Sequence, residues 1–169
     1  MSATIIDGKT IAADLRAAVK AETQRLRAAR GIAPGLAVVL LGDDPASQSY
    51  VASKSRAVTE VGMRPFDHHL PATVSEAELL ALVDKLNADP AVHGVLVQMP
   101  LPPQISTKRI VASIDPDKDV DGFHPLNVGR LVQNRASLVS CTPAGVIEMQ
   151  ERSGIPIAGA RAEIGRAHV

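Results

Sequence analysis

Apolar side chains recur at helical spacing between residues 10 and 29, at Ile11, Leu15, Ala18, Val19 and Leu26, until Gly31 and Pro34 break the pattern. The spacing predicts a first helix. The run GLAVVLLG that follows is continuously apolar, β-branched at its centre and bounded by glycines, which predicts a strand buried on both faces, as in parallel sheets. Asp44 or Ser47 can cap a second helix that runs to about Val61 and closes at Gly62, after which MRPFDHHL gives a weaker strand. Ser75 and Glu78 have capping-box spacing at the start of a third helix through Leu86, and AVHGVLVQ supplies another short strand. Strand and helix thus alternate three times, which predicts an α/β fold with a mostly parallel sheet between helices, a three-layer αβα arrangement.

The texture changes after Gln98. MPLPPQIS is rich in proline, and DPDKDVDG is acidic and turn-forming, so a domain boundary is expected near Asp121. Thr142 and Pro143 predict an N-cap and first helical residue for a helix to about Arg152, ended by Gly154, with a further strand after Ile157.

Composition narrows the partners. Basic and acidic residues balance at 18 each, so nothing in the overall charge attracts nucleic acid or an anionic membrane. The longest strongly apolar stretch, Leu36 to Leu41, falls far short of the roughly 20 residues that a spanning helix needs. The start MSATIIDGKT has no basic segment followed by an apolar one, so no secretion signal is expected. A single cysteine, Cys141, offers no internal disulfide and no zinc site, and a reducing cytoplasm is the expected setting, with no metal.

Candidate chemistry begins at Tyr50, the chain's only tyrosine, four residues before Lys54 on the predicted second helix. That spacing puts both on one helical face, with side-chain bases about 5 to 6 Å apart. Ligands of open parallel sheets collect beyond the carboxyl ends of the strands, where this helix starts. Short-chain dehydrogenases also carry Y-x-x-x-K, but they need a glycine-rich nucleotide loop upstream, and residues 1–45 contain none. Gln98, at the end of the strand GVLVQ, can donate and accept together and hold an amine without adding charge. Pro100 and Leu101, in the rigid loop that follows, are expected to line the same sheet edge. Asp117 to Gly122 imitates half of a calcium loop, but Val128 stands where a bidentate glutamate is required, which argues against calcium. Asp121 can instead take two hydrogen bonds from an amidine-like ring edge. His68 and His69 point to opposite faces of a strand and receive no chemistry. Cys141 is expected to be buried.

The segments GDDPASQSYVASKSRAVTEVGM, EAELLALVDKLNADPAVHGVLVQMPLP, PDKDVDGFHPLNVGRL and CTPAG, in this order over residues 5–162, resemble the methylenetetrahydrofolate dehydrogenase/cyclohydrolase family. Met99 stands where that family more often has leucine, and Ser140 where it often has proline. The resemblance implies a folate substrate whose ring stacks on Tyr50, a proton-handling Lys54 held by Gln98, and an Asp121 that binds the amino-pyrimidine edge. It implies two reactions in one cleft, hydride transfer from the methylene bridge to NADP and attack of water on the methenyl carbon to give 10-formyltetrahydrofolate. A free lysine, with a pKa of about 10.4, is protonated near neutrality, so a lysine that accepts a proton must be desolvated or face positive charge. A cationic folate could help supply that charge. A glutamine partner, unlike a carboxylate, would not oppose it.

The implied organisation is a folate-binding catalytic domain over residues 1–120 and, over residues 121–162, the opening of a Rossmann-like NADP-binding domain. A homodimer is implied for the full-length protein. Gly165-Arg166-Ala167 invites alignment with a phosphate-binding turn, but the approach strand is a residue short, and Glu163 stands at an expected apolar position. The last seven residues also back-translate into a common sequencing-adapter sequence, so residues 163–169 are expected to be a non-native tail, with no cofactor-binding residue in the trusted sequence. The fragment itself is expected to be defective in the dehydrogenase step. The competing class is a non-catalytic folate-binding or interaction module.

Overall fold

A computed structural model describes residues 5–135, 137–161 and 165 of the chain. Helix α1 (Gly8–Arg30) is capped by Asp7 and ends at Gly31 in the left-handed conformation. The alternation then runs β1 (Gly35–Leu41), α2 (Pro45–Glu60), β2 (Arg64–Leu70), α3 (Glu76–Ala88) and β3 (Gly94–Val97). It is followed by α4 (Thr107–Ser113), α5 (Pro125–Val132) and α6 (Cys141–Arg152). The strands are parallel in the order β2-β1-β3.

Each face of β1 meets a helical layer. Ala37, Val39 and Leu41 join Val95 and Val97 of β3 against Leu79, Val83 and Leu86 of α3 and Ile110 of α4. Val38 and Leu40 point the other way, with Leu96 beside Val38 in register, towards the side that α2 covers with Val58. That is the three-layer arrangement expected from a doubly buried strand. The register sets His68 opposite Val39 and His69 opposite Leu40, hence on opposite faces.

Local chemistry sets the helix starts. Of the two candidate caps for α2, Asp44 is used, and its carboxylate accepts from Ser47 N at 2.8 Å. The capping box of α3 is complete, with Ser75 Oγ accepting from Glu78 N at 3.2 Å and the Glu78 carboxylate accepting from Ser75 N at 2.9 Å. Three expectations need correction. The last helix starts two residues early, with Ser140 as N-cap and Pro143 in its first turn. Proline is tolerated there because the first backbone N–H groups of a helix have no internal partner. Cys141 is exposed rather than buried, since α6 buries none of its residues. In place of a strand after Ile157, the chain turns at Gly159, with Ala160 N donating to Ile157 O at 3.2 Å. The first helix forms as expected, with Leu15 and Val19 of its stripe exposed and Thr23 the only buried residue of that helix. Most of the expected tail, residues 163–164 and 166–169, lies outside the described residues.

Candidate functional site

The sheet order places a switch point between β1 and β3, because the chain leaves β1 for β2 on one side and returns to β3 on the other. Ligands of open α/β sheets bind in the crevice outside the strand carboxyl ends at such a point. Gln98 sits there, just past β3, tied to β1 by its backbone N–H, which donates to Val39 O at 2.8 Å. Its side chain is fixed as well. Nε2 donates to Met99 O at 2.9 Å, which turns Oε1 outward to accept from Lys54 Nζ, also at 2.9 Å. Lys54 reaches across from α2, and its amine is held by a neutral acceptor.

Tyr50 stands one turn before Lys54 on α2 and is 65% exposed. A large aromatic face left open beside a half-buried amine is an available stacking surface. Asp121 approaches from the loop before α5, half-buried. Burial pushes its carboxyl above the ordinary carboxylate range; the neighbouring Lys54 charge pulls the other way, and the nearby Asp119 pushes it further up. The fold thus gathers Lys54, Gln98 and Asp121, with Tyr50 on the same helix face as Lys54. The next loop divides: Pro100 is exposed, and Leu101 packs against the core. An apolar groove of about 450 Å³, lined by Met99, Thr107, Lys108, Val111, Phe123 and Pro125, starts one residue past Gln98.

A tetrahydrofolate dehydrogenase/cyclohydrolase catalytic-domain model matches residues 6–121, more than two thirds of the chain. The chain belongs to this family. Its relatives include the bifunctional FolD protein of Rhodopseudomonas palustris strain HaA2, 54% identical over 170 residues that cover all of this chain and 58% of that protein. The bifunctional FolD protein of Cereibacter sphaeroides strain ATCC 17029 is 57% identical over 88% of this chain and 50% of its own length. The FolD methylenetetrahydrofolate dehydrogenase/cyclohydrolase of Campylobacter jejuni superposes with a TM-score of 0.88 at 44% identity, over 90% of this chain and 54% of that one. The Trypanosoma brucei dehydrogenase-cyclohydrolase, solved with NADP and an inhibitor, gives a TM-score of 0.89 at 36% identity, over 94% of this chain and 55% of that one. The chain therefore spans little more than half the length of these relatives.

None of the three helices that follow a strand offers the family's nucleotide cofactor an open cradle. The helices that follow the three strands start at Asp44, Ser75 and Ser106, whose side chains already accept the N–H groups a phosphate would use. All three starts also meet a carboxylate: Asp44, Glu78 and, at Ser106, the Glu76 carboxylate that accepts from Ser106 N at 2.6 Å. Residues 154–161 form no strand and turn to resemble a nucleotide fold.

Sequence reasoning passed over three residues that make polar contacts in the segment around Asp121: Lys118, Asp119 and Asn127. Asp119 and Asn127 are 2% and 1% exposed and are joined to each other, with Asn127 Nδ2 donating to Asp119 Oδ2 at 3.0 Å. No local signal separates Asp119 from Asp115 and Asp117 in the same acidic segment.

Proposed function

We propose that this chain is the folate-binding catalytic part of an enzyme that oxidises 5,10-methylenetetrahydrofolate with NADP and hydrolyses the 5,10-methenyl product to 10-formyltetrahydrofolate. The observation that carries this reading is the Lys54 amine on Gln98 Oε1 at 2.9 Å, one helical turn from the exposed Tyr50 and close to the Asp121 carboxylate. In the hydrolytic step water adds to the cationic methenyl carbon, one C–N bond of the bridge breaks, and a proton is released. Lys54 is the group placed to move that proton, and Gln98 directs the amine without adding negative charge. Tyr50 stacks on the folate ring, Asp121 takes two N–H donors from its amino-pyrimidine edge, and Pro100 and Leu101 shape the loop beside it. NADP supplies the hydride acceptor when bound. The chain's own contribution to oxidation is to hold the folate.

The decisive experiment is Lys54→Met, followed by the loss of methenyltetrahydrofolate absorbance. We expect hydrolysis to be abolished with folate binding retained, and near-native hydrolysis by the variant would remove Lys54 from its role. A non-catalytic folate-binding module is the second reading, and binding without hydrolysis by the native chain would select it. The reading extends to a cytoplasmic homodimer without nucleic-acid or membrane partners, supported by balanced charge and, among the described residues, by no helix long and apolar enough to cross a membrane. Sedimentation of the purified protein checks its dimeric state. We also take residues 163–169 as non-native, and a genomic read encoding them would overturn that.

A further inference from the structure

The segment that delivers Asp121 is anchored on both sides, to the end of α3 and the edge of β3 and, beyond Asp121, to the backbone before α6. Lys118 Nζ donates to the carbonyls of Leu86, Asn87 and Asp89, at 3.1, 2.7 and 2.9 Å, and so ties the segment to the carbonyl end of α3. The same residue's backbone carbonyl accepts from Val95 N at 2.7 Å, and Asp119 pairs with Val95 as an isolated parallel bridge at the edge of β3. Gly94 permits this approach, since a Cβ there would lie 2.5 Å from Val120 Cγ1. Buried Asp119 accepts from His124 N at 2.8 Å and from Asn127 Nδ2, which also donates to Pro116 O at 2.8 Å. On the far side Gly122 has φ +65°, and a Cβ there would lie 2.7 Å from the Ser140 nitrogen. Asp121 is thus held between a bridge at Asp119 and a close backbone contact at Gly122.

We propose that Lys118, Asp119 and Asn127 are positioning residues that fix the Asp121 carboxylate over Lys54 and Gln98, so that the amino-pyrimidine edge of a folate meets a pre-set acceptor. The ligand class rests on the function proposed above, whereas the positioning itself does not. A buried carboxylate whose partners here are N–H donors rather than cations is expensive to keep in a fold, and a turn former would not need burial. Burial suits a group that rigidifies a neighbour. The charged groups facing Asp121 are Lys54 of α2 and Asp119 of its own segment. The start of α6 adds Cys141, whose Sγ donates to Val120 O at 3.5 Å.

The test follows the Asp121 carboxyl by ¹³C NMR titration in the 169-residue chain without ligand, native and as Asn127→Ala and Asp119→Asn. Both variants should lower its titration midpoint, the first by releasing the carboxylate to water and the second by removing a like charge. An unchanged midpoint in the folded variants overturns the proposal. If Asn127→Ala does not fold, Lys118→Met decides, because it frees the segment from the end of α3 without removing a charge that faces Asp121. Tetrahydrofolate affinity, measured by calorimetry, supplies the second arm. We expect Asn127→Ala to weaken it about tenfold in the native background and less than twofold in an Asp121→Ala background, since the effect passes through Asp121. Equal losses in both backgrounds would mark Asn127 as merely structural and overturn the assignment. A native chain that shows the midpoint shifts but binds no tetrahydrofolate would leave the positioning intact and defeat the folate reading.

Discussion

Every buried hydrophobic side chain among the described residues lies between Ala37 and Ile114, whereas α6 buries none of its residues and α5 buries only Asn127. Leu131, Val132, Val146, Ile147, Ile155 and Ile157 are each at least 40% exposed. The first region is held by close-packed apolar layers on both faces of β1; the second is attached through polar anchors and a glycine contact. The difference teaches where stability and chemistry reside. The layered region carries the fold, and the site is assembled at its edge from groups that contribute little to the core, with Asp121 at the junction of the two regions.

The strongest way to break this comparison is to cut the core. Leu79 is fully buried between α3 and the sheet, so Leu79→Ala should lower stability by about 2–5 kcal/mol through lost burial and the cavity left behind. Urea unfolding measures it, and a loss below about 1 kcal/mol would mean that the layer repacks freely. Tyr50→Ala tests the reverse case. With the ring mostly exposed, the variant should melt like the native chain, while folate affinity falls by about 1 kcal/mol, roughly fivefold, from lost stacking. An unchanged dissociation constant would count against Tyr50 as the platform.

The layered region was the more legible of the two in the sequence, for physical reasons. Period and boundary signals are strong where a strand is buried on both faces, as in GLAVVLL, and where a cap is spelled out, as at Ser75 and Glu78. The α2 face was legible too, because four-residue spacing fixes Tyr50 beside Lys54 whatever the tertiary structure. The acidic segment was less so. Asp117, Asp119 and Asp121 read alike in sequence, yet Asp117 faces Arg130 at 3.6 Å, Asp119 is buried on Asn127, and only Asp121 meets Lys54. Those partners are long-range contacts that no local spacing encodes. Helices α4 and α5, of seven and eight residues, were missed because two turns are too short for a clear apolar period. The start of α6 was misplaced because Pro143 is equally acceptable at several positions of a first turn.

A smaller effect sharpens the junction itself. The Asp121 carboxyl is raised above its ordinary 3.8, mainly by burial, so the folded chain holds this proton more tightly than the unfolded chain does. The corresponding stability is fully present below pH 3.8 and is lost as pH rises through the raised value. At neutral pH the ionised group therefore costs stability, and Asp121→Asn should raise the melting temperature there. The gain should vanish on acidification below pH 3.8. A variant that melts lower at neutral pH would show that the Lys54 contact, not burial, dominates.

The smallest expected effect falls in the second region. Ile147 of α6 is 43% exposed, in an open groove of about 350 Å³ with Leu131, Val139, Pro143 and Ala144. A side chain that remains this accessible has surrendered only part of its burial free energy, and substitutions outside packed cores usually stay within about 0.5 kcal/mol. Ile147→Ser should therefore leave the urea midpoint of the chain nearly unchanged, in contrast to Leu79→Ala. A loss approaching that of the core variant would show that α6 is packed as the layered region is, and the contrast between the two regions would then fail at its weakest element.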